Sequence, residues 1–172
     1  MKLMRPAVRL VIGGLFIGHG TQKLFGWFGG HGPEGTGGFF ESLGLKPGKP
    51  NAIAAGVAEA GGGALLATGT ALPLAGAALT GTMTTAIRHV HAAKGPWSTD
   101  GGWEYNAVLI AATLAAVEEE CGVGWALAAG AAGAAGSFAI SELGKRRDEQ
   151  PVDEFEPVPF ESGEQVREPA QV

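Results

Sequence analysis

One short stretch between two apolar segments carries the ionisable side chains Arg88, His89, His91 and Glu104. A guanidinium group can bind an anion or a polarised oxygen, and imidazole exchanges protons near neutral pH. Three aromatic residues occupy the same stretch: Trp97, Trp103 and Tyr105. Residues of this kind are typical of the boundary between water and lipid. The stretch therefore predicts polar chemistry close to a membrane surface.

Further polar side chains lie inside the other apolar segments. His19, Gln22 and Lys23 share one helical face, because they are three and four residues apart. Glu59 is the one charge in residues 51–70, and Asn106 follows Glu104. The candidate pocket residues are therefore His19, Gln22, Lys23, Glu59, Arg88, His91, Glu104 and Asn106.

Metal and thiol chemistry are not predicted. His89 and His91 would point about 160° apart on a helix, so they do not readily share a metal. A site built from three histidines and Glu59 is the weaker alternative. Cys121 is the single cysteine, which excludes an internal disulfide and thiol–disulfide exchange within the chain.

Four apolar segments are long enough, or nearly so, to cross a membrane, for which about 20 residues suffice. They are residues 7–28, 51–70, 74–93 and 104–117, the last ending at three successive glutamates. Residues 29–50, rich in Gly and Pro, are predicted to form a loop with a short interfacial stretch at Phe39, Phe40 and Leu43. The N-terminus also fits a signal peptide, but no A-x-A-like site follows it.

Alternating crossings would place the candidate residues in one half of the membrane. The polar part of the first segment lies in its second half, and Glu59 lies in the first half of the returning segment. Arg88 and Glu104 would lie at the same depth in the third and fourth segments. A charge near a helix centre costs about 2.5–3.5 kcal/mol in lipid, so we expect Glu59 to pair with Arg88 or Lys23, and Glu104 with Arg88. The set either fixes helix register, or it lines a polar pocket that holds a ligand or transfers protons. For Arg88 alone, a simpler alternative to pairing is that its side chain extends to the membrane surface.

The remainder of the chain differs in character. Residues 123–144 are predicted to form an additional Ala/Gly-rich apolar helix, which crosses the membrane or lies on it, with crossing favoured. Residues 1–147 hold 11 Lys/Arg and 9 Asp/Glu, whereas residues 148–172 hold one Arg and 8 acids. We predict a disordered acidic tail over residues 145–172. The chain has no basic stripe, which excludes nucleic acid as a partner.

The predicted fold class is all-α: a membrane four-helix bundle over residues 1–122, followed by the additional helix and the tail. The positive-inside rule favours Lys2, Arg5 and Arg9 on the same side as residues 145–147, which four crossings achieve. We therefore expect a multi-pass protein of the plasma membrane with a cytoplasmic N-terminus.

Two motifs carry a resemblance to a known family. RLVIGGLFIGHGTQKLFGWFGGHGPEGTGGFF, residues 9–40, and GGWEYN, residues 101–106, resemble the DoxX family of bacterial and archaeal membrane proteins. The resemblance covers about residues 5–122. It implies a four-helix membrane protein linked to respiratory or redox-defence chemistry, because relatives include the DoxD-type subunit of thiosulfate:quinone oxidoreductase.

Two hypotheses follow for the function. The first is a subunit of a membrane oxidoreductase that meets quinone or a sulfur compound in the pocket, with Arg88 and Lys23 binding it and His19 or His91 relaying a proton. The second is a non-catalytic membrane anchor or scaffold for a soluble redox-defence enzyme. A small-solute or proton carrier is less favoured. No intrinsic cofactor is predicted, because no haem, flavin or iron–sulfur motif occurs; quinone is the expected exogenous one. The expected partners are the lipid bilayer, a soluble oxidoreductase or quinone, and a second copy of the chain.

Overall fold

The computed structural model describes residues 4–148, and within them the chain is helical apart from short connections. The six α-helices are α1 (Met4–Phe25), α2 (Gly32–Ser42), α3 (Gly48–Thr68), α4 (Leu72–Ala86), α5 (Glu104–Cys121) and α6 (Val123–Asp148). The predicted all-α class is confirmed. The predicted tail lies outside the described residues except for residues 145–148, which belong to the last turns of α6.

Five of these helices are long and alternate in direction. At one end of the bundle, the start of α1 is joined to the end of α5 by the ion pairs Arg5–Glu119 and Arg9–Glu120. At the other end, Gly144 of α6 lies against Gly44 in the connection between α2 and α3. We call this second end the loop face, because it carries the connections at residues 26–47 and 92–103.

The segment predicted to be a loop contains α2, so that part of the prediction was wrong. Pro33 stands in the first turn of the helix, where its missing N–H leaves no helical hydrogen bond unmade. Gly37 of α2 lies so close to Gly48 and Lys49 of α3 that a Cβ atom would not fit. The glycines that suggested a loop therefore permit a short helix to pack closely on α3.

Small residues also bring the long helices together. Gly13 and Gly20 of α1 face the backbone of α3, and Gly133 of α6 faces α4, with no room for a Cβ atom at any of the three. Such contacts are characteristic of helices that associate within lipid. Many large apolar side chains point outward instead, among them Val11, Leu15, Val57, Val108, Leu127 and Leu143.

By length and composition, one helix of the described part of the chain is apolar enough to cross a membrane, and it spans Val123–Arg146. This is the helix that the sequence placed outside the four-helix core. α1 contains three cationic residues and α3 contains many Gly and Ala, which lowers their hydropathy. The membrane four-helix bundle is therefore not confirmed. The structure has five long helices, and the fifth, α6, lies where the additional helix was predicted.

Candidate functional site

A cavity of about 790 Å³ lies beneath the loop face and receives side chains from all six helices. Five of the eight predicted pocket residues line it: His19, Lys23, Glu59, His91 and Asn106. Gln22, Arg88 and Glu104 do not line it. Five hydroxyl residues also line it, Thr82, Thr85, Ser98, Tyr105 and Ser137, and much of the remaining wall consists of Ala and Gly.

An ion pair between Lys23 and Glu59 is the most buried charged feature of the cavity. Lys23 Nζ lies 2.5 Å from Glu59 Oε2, and the two side chains are 21% and 4% exposed. Helical side chains lean towards the N-terminus of their own helix, and α1 and α3 are antiparallel, so the two lean towards each other. The close approach at Gly20 brings the helices within reach. This is one of the pairs expected from the sequence.

His19 and Gln22 have different roles at the end of α1. His19 lines the cavity, and its Nδ1 lies 3.1 Å from Gln22 Oε1. The Gln22 amide nitrogen donates to the Phe28 carbonyl oxygen at 3.3 Å. Phe28 has a positive φ of 53°, which is unfavourable for a side chain of this size. Gln22 therefore supports a strained connection rather than the cavity.

His91 is held in one orientation by the loop above the cavity. α4 continues as a π-helical turn, Ile87–His91, and His91 Nδ1 lies 2.6 Å from the carbonyl oxygen of Gly101. A carbonyl oxygen only accepts, so we assign the proton to Nδ1. In the neutral ring, Nε2 then carries the lone pair and can accept a hydrogen bond from a ligand.

Glu104 fastens that loop instead of lining the cavity or pairing with Arg88. Its carboxylate accepts from the Ser98 amide at 2.8 Å and from the Ser98 hydroxyl at 2.6 Å. Glu104 precedes the apolar part of α5, and these two hydrogen bonds lower the pKa of its carboxyl group. Gly102, whose amide donates to Trp97 O at 2.8 Å, has no space for a Cβ atom. The predicted pair between Glu104 and Arg88 was wrong, because each group has other partners.

Arg88 points towards α6 and does not pair with Glu59, which corrects the second prediction for this residue. Its Nη1 donates to Ser137 O at 3.0 Å, to Ser137 Oγ at 3.1 Å and to Ser141 Oγ at 3.2 Å. Its guanidinium carbon lies 3.7 Å above the ring of Phe138. His89 Nε2 lies 2.9 Å from Ser141 Oγ. These contacts join α4 to α6.

Sequence reasoning missed the contributions of α6 and α2. Ser137 and Ser141 are the hydroxyl residues of an otherwise apolar stretch and lie four residues apart, a spacing that indicates one shared face. That signal could have predicted a polar partner on a neighbouring helix. Phe39 and Phe40 of α2 line the cavity, but their helix was not predicted.

Asn106 contributes a buried amide to the cavity. It is 8% exposed, and its Nδ2 lies 3.4 Å from the sulfur atom of Met83, which is a weak acceptor. The amide can therefore exchange this contact for a stronger acceptor on a ligand. Within residues 4–148, no group of three or more His, Cys, Asp or Glu residues is placed to hold a metal ion.

Comparison with known proteins gives one family. The family model described as DoxX matches residues 6–92, which run from α1 through the π-helical turn and include Lys23, Glu59 and His91. No curated protein and no solved structure matches the chain.

Proposed function

The chain belongs to the DoxX family, and on that basis we propose that it is a multi-pass membrane subunit of an oxidoreductase system that binds a quinone in the cavity. Family membership and the apolar helix α6 both indicate a membrane protein. The Lys23–Glu59 pair inside a large, mostly apolar cavity carries the proposal.

The packing supports five membrane crossings. Glycines of α1, α3, α4 and α6 lie where a Cβ atom would clash with the neighbouring helix, while large apolar side chains are exposed on the outside of α1, α3, α5 and α6. A soluble bundle buries its large apolar residues, whereas lipid tolerates them at the surface. Exposed aromatic residues gather near the loop face, as expected of an interface with lipid: Phe25, Trp27, Trp97, Trp103 and Tyr105.

Five crossings reverse the expected orientation in the plasma membrane. They place Arg5 and Arg9 on one side and a larger set of cations on the loop face: Lys46, Lys49, Lys94, Lys145 and Arg146. The positive-inside rule then favours a cytoplasmic loop face and an external N-terminus. Cys121 is exposed at the external end of α5 and provides a native label. A membrane-impermeant maleimide should label it in intact cells; labelling only after lysis would contradict this orientation.

The residues of the cavity fit a quinone ring. The Lys23 ammonium and the Asn106 amide can donate to a carbonyl oxygen, and His91 Nε2 can accept from a ring hydroxyl. A bound quinone supplies a carrier of two electrons and two protons. The electrons would come from the redox cofactor of a partner oxidoreductase, since the chain has one cysteine and no dithiol.

The test is quinone binding by the purified protein in nanodiscs, followed by the quenching of tryptophan fluorescence. The conservative variant Glu59→Gln should weaken binding at least tenfold, because it removes the charge that orients Lys23. Glu34→Gln is the matched control, since Glu34 pairs with Lys49 in an exposed ion pair. Wild-type affinity in Glu59→Gln would exclude this pair from the binding site.

A second candidate is a non-catalytic anchor for a soluble oxidoreductase. The exposed aromatic cluster of Phe25, Trp27 and Phe28 on the loop face favours it, because these rings contact each other and are available to a partner. Absence of quinone binding, together with recovery of a soluble oxidoreductase that is lost in Trp27→Ala, would support this candidate over the first.

A further inference from the structure

The cavity extends well beyond the polar residues that line its upper end. Along α4 its wall runs from Leu74 to His91, on the order of 25 Å at the rise of an α-helix. The extension is lined by small residues of three helices: Ala54, Ala55 and Ala58 of α3, Ala77, Ala78 and Gly81 of α4, and Ala132, Gly133 and Gly136 of α6. We call this extension the α3–α6 groove. A single quinone ring would occupy only a small part of it.

The α3–α6 groove opens to the side of the bundle. α4 packs against both α3 and α6 and separates them. Three exposed apolar residues stand at the opening, Phe39, Leu74 and Ile140. The loop at residues 92–103 covers the polar end of the cavity, since Ser98, Gly101 and Gly102 line the cavity there. A ligand can therefore reach the cavity from the surrounding lipid, past these exposed apolar side chains.

We infer that the ligand of the cavity is a quinone with a long apolar side chain, which lies in the α3–α6 groove after entering sideways from the bilayer. This inference rests on the proposed function and specifies the class of quinone. The ring lies at the Lys23–Glu59 end, where the hydrogen-bonding groups are. The apolar chain continues along α4 over Ala and Gly and passes Thr82, Thr85 and Ser137, whose hydroxyl groups already have hydrogen-bond partners within the protein.

The groove can be filled without disturbing the fold at Gly136. A Cβ atom there meets nothing within 4 Å, and Gly136 lines the cavity. Gly124 is the matched control, because it lies on the same helix, also has open space around a Cβ atom and does not line the cavity. Ala54→Leu narrows the facing wall and provides a second, independent obstruction.

The experiment compares decylubiquinone with the chainless coenzyme Q0 in nanodiscs. We expect Gly124→Leu to bind each of the two probes with the affinity of wild type. Gly136→Leu and Ala54→Leu should bind decylubiquinone at least tenfold more weakly and retain wild-type affinity for the chainless probe.

Two results would overturn the inference and leave the proposed function standing: unchanged affinity for decylubiquinone in both variants, or equal weakening for the two probes. Unchanged affinity for decylubiquinone would indicate that membrane lipid, rather than a quinone side chain, occupies the groove. If wild type binds neither probe, the proposed function fails, and this inference fails with it.

Discussion

Replacing Lys23 with methionine should destabilise the protein more than any other single charge removal in the cavity. Lys23→Met keeps the length of the side chain but leaves the Glu59 carboxylate, 3% exposed, without a counter-charge. Such a carboxylate must be protonated or remain poorly solvated, and either outcome raises the free energy of the folded state.

The magnitude follows from burial. Removing one partner of a buried ion pair costs about 3–5 kcal/mol, and the partial exposure of Lys23 argues for the lower end. A loss of about 3 kcal/mol lowers the ratio of folded to unfolded protein by about a hundredfold. Glu59→Gln should cost about 1 kcal/mol, since the lysine side chain can extend towards water and the amide still accepts a hydrogen bond.

The double variant Lys23→Met/Glu59→Gln isolates the interaction between the two groups. Because it leaves no buried carboxylate without a counter-charge, it should be more stable than Lys23→Met alone. Reversible unfolding in mixed detergent micelles, followed by circular dichroism, gives the four free energies. Lys49→Met is the control, because Lys49 belongs to an exposed pair worth about 0–1 kcal/mol. Strictly additive losses in the double variant, or equal losses for Lys23→Met and Lys49→Met, would refute the pairing.

Three further outcomes test other parts of the structure. Gly20→Ala should cost about 1–3 kcal/mol by forcing α1 away from α3, whereas Gly18→Ala, with open space around it, should be neutral or stabilising in thermal melts; equal shifts would contradict the packing. The hydrogen bonds from Ser98 lower the pKa of Glu104, so their stabilisation exists above the ordinary carboxyl pKa and is lost as the pH falls through the lowered value. Ser98→Ala should therefore exchange the amide hydrogens of the loop faster than wild type at neutral pH, and the two proteins should exchange alike in acid. A difference between them that does not change with pH would contradict this. Arg88→Gln should make α6 more susceptible to proteolysis, and Arg88→Lys should show a smaller effect. Arg88→Gln should keep wild-type quinone affinity; a loss of affinity would show that Arg88 contributes to the binding site.

Much of the polar layer could be predicted by counting residues. Alternating helices place Lys23 and Glu59 at similar depth whatever their exact rotation, and both side chains can reach across the narrow gap that Gly20 leaves. Depth depends only on the order and length of the segments. The sequence therefore sufficed to predict that Lys23 lies within reach of Glu59, and it left Arg88 as the alternative partner.

The direction in which Arg88 points could not be predicted in the same way. It depends on helix rotation and on which helix lies beside α4, and α6 had been set apart from the core. The π-helical turn at Ile87–His91 also changes the register at that point, and no local pattern indicated it. The Arg88 guanidinium group therefore donates hydrogen bonds to Ser137 and Ser141 rather than to a carboxylate.

Small residues have two opposite effects in this bundle, and the difference explains why the cavity lies where it does. Between α1 and α3, glycines bring the two backbones into contact, so Lys23 and Glu59 meet. Between α3 and α6, α4 holds the two helices apart, and the same composition leaves the α3–α6 groove because short side chains cannot fill the gap. A larger residue at Gly20 would separate the ion pair, whereas a larger residue at Gly136 would fill the groove. Only the second change should discriminate between ligands with and without a chain, which makes ligand selectivity, rather than stability, the property that identifies the groove as a binding site.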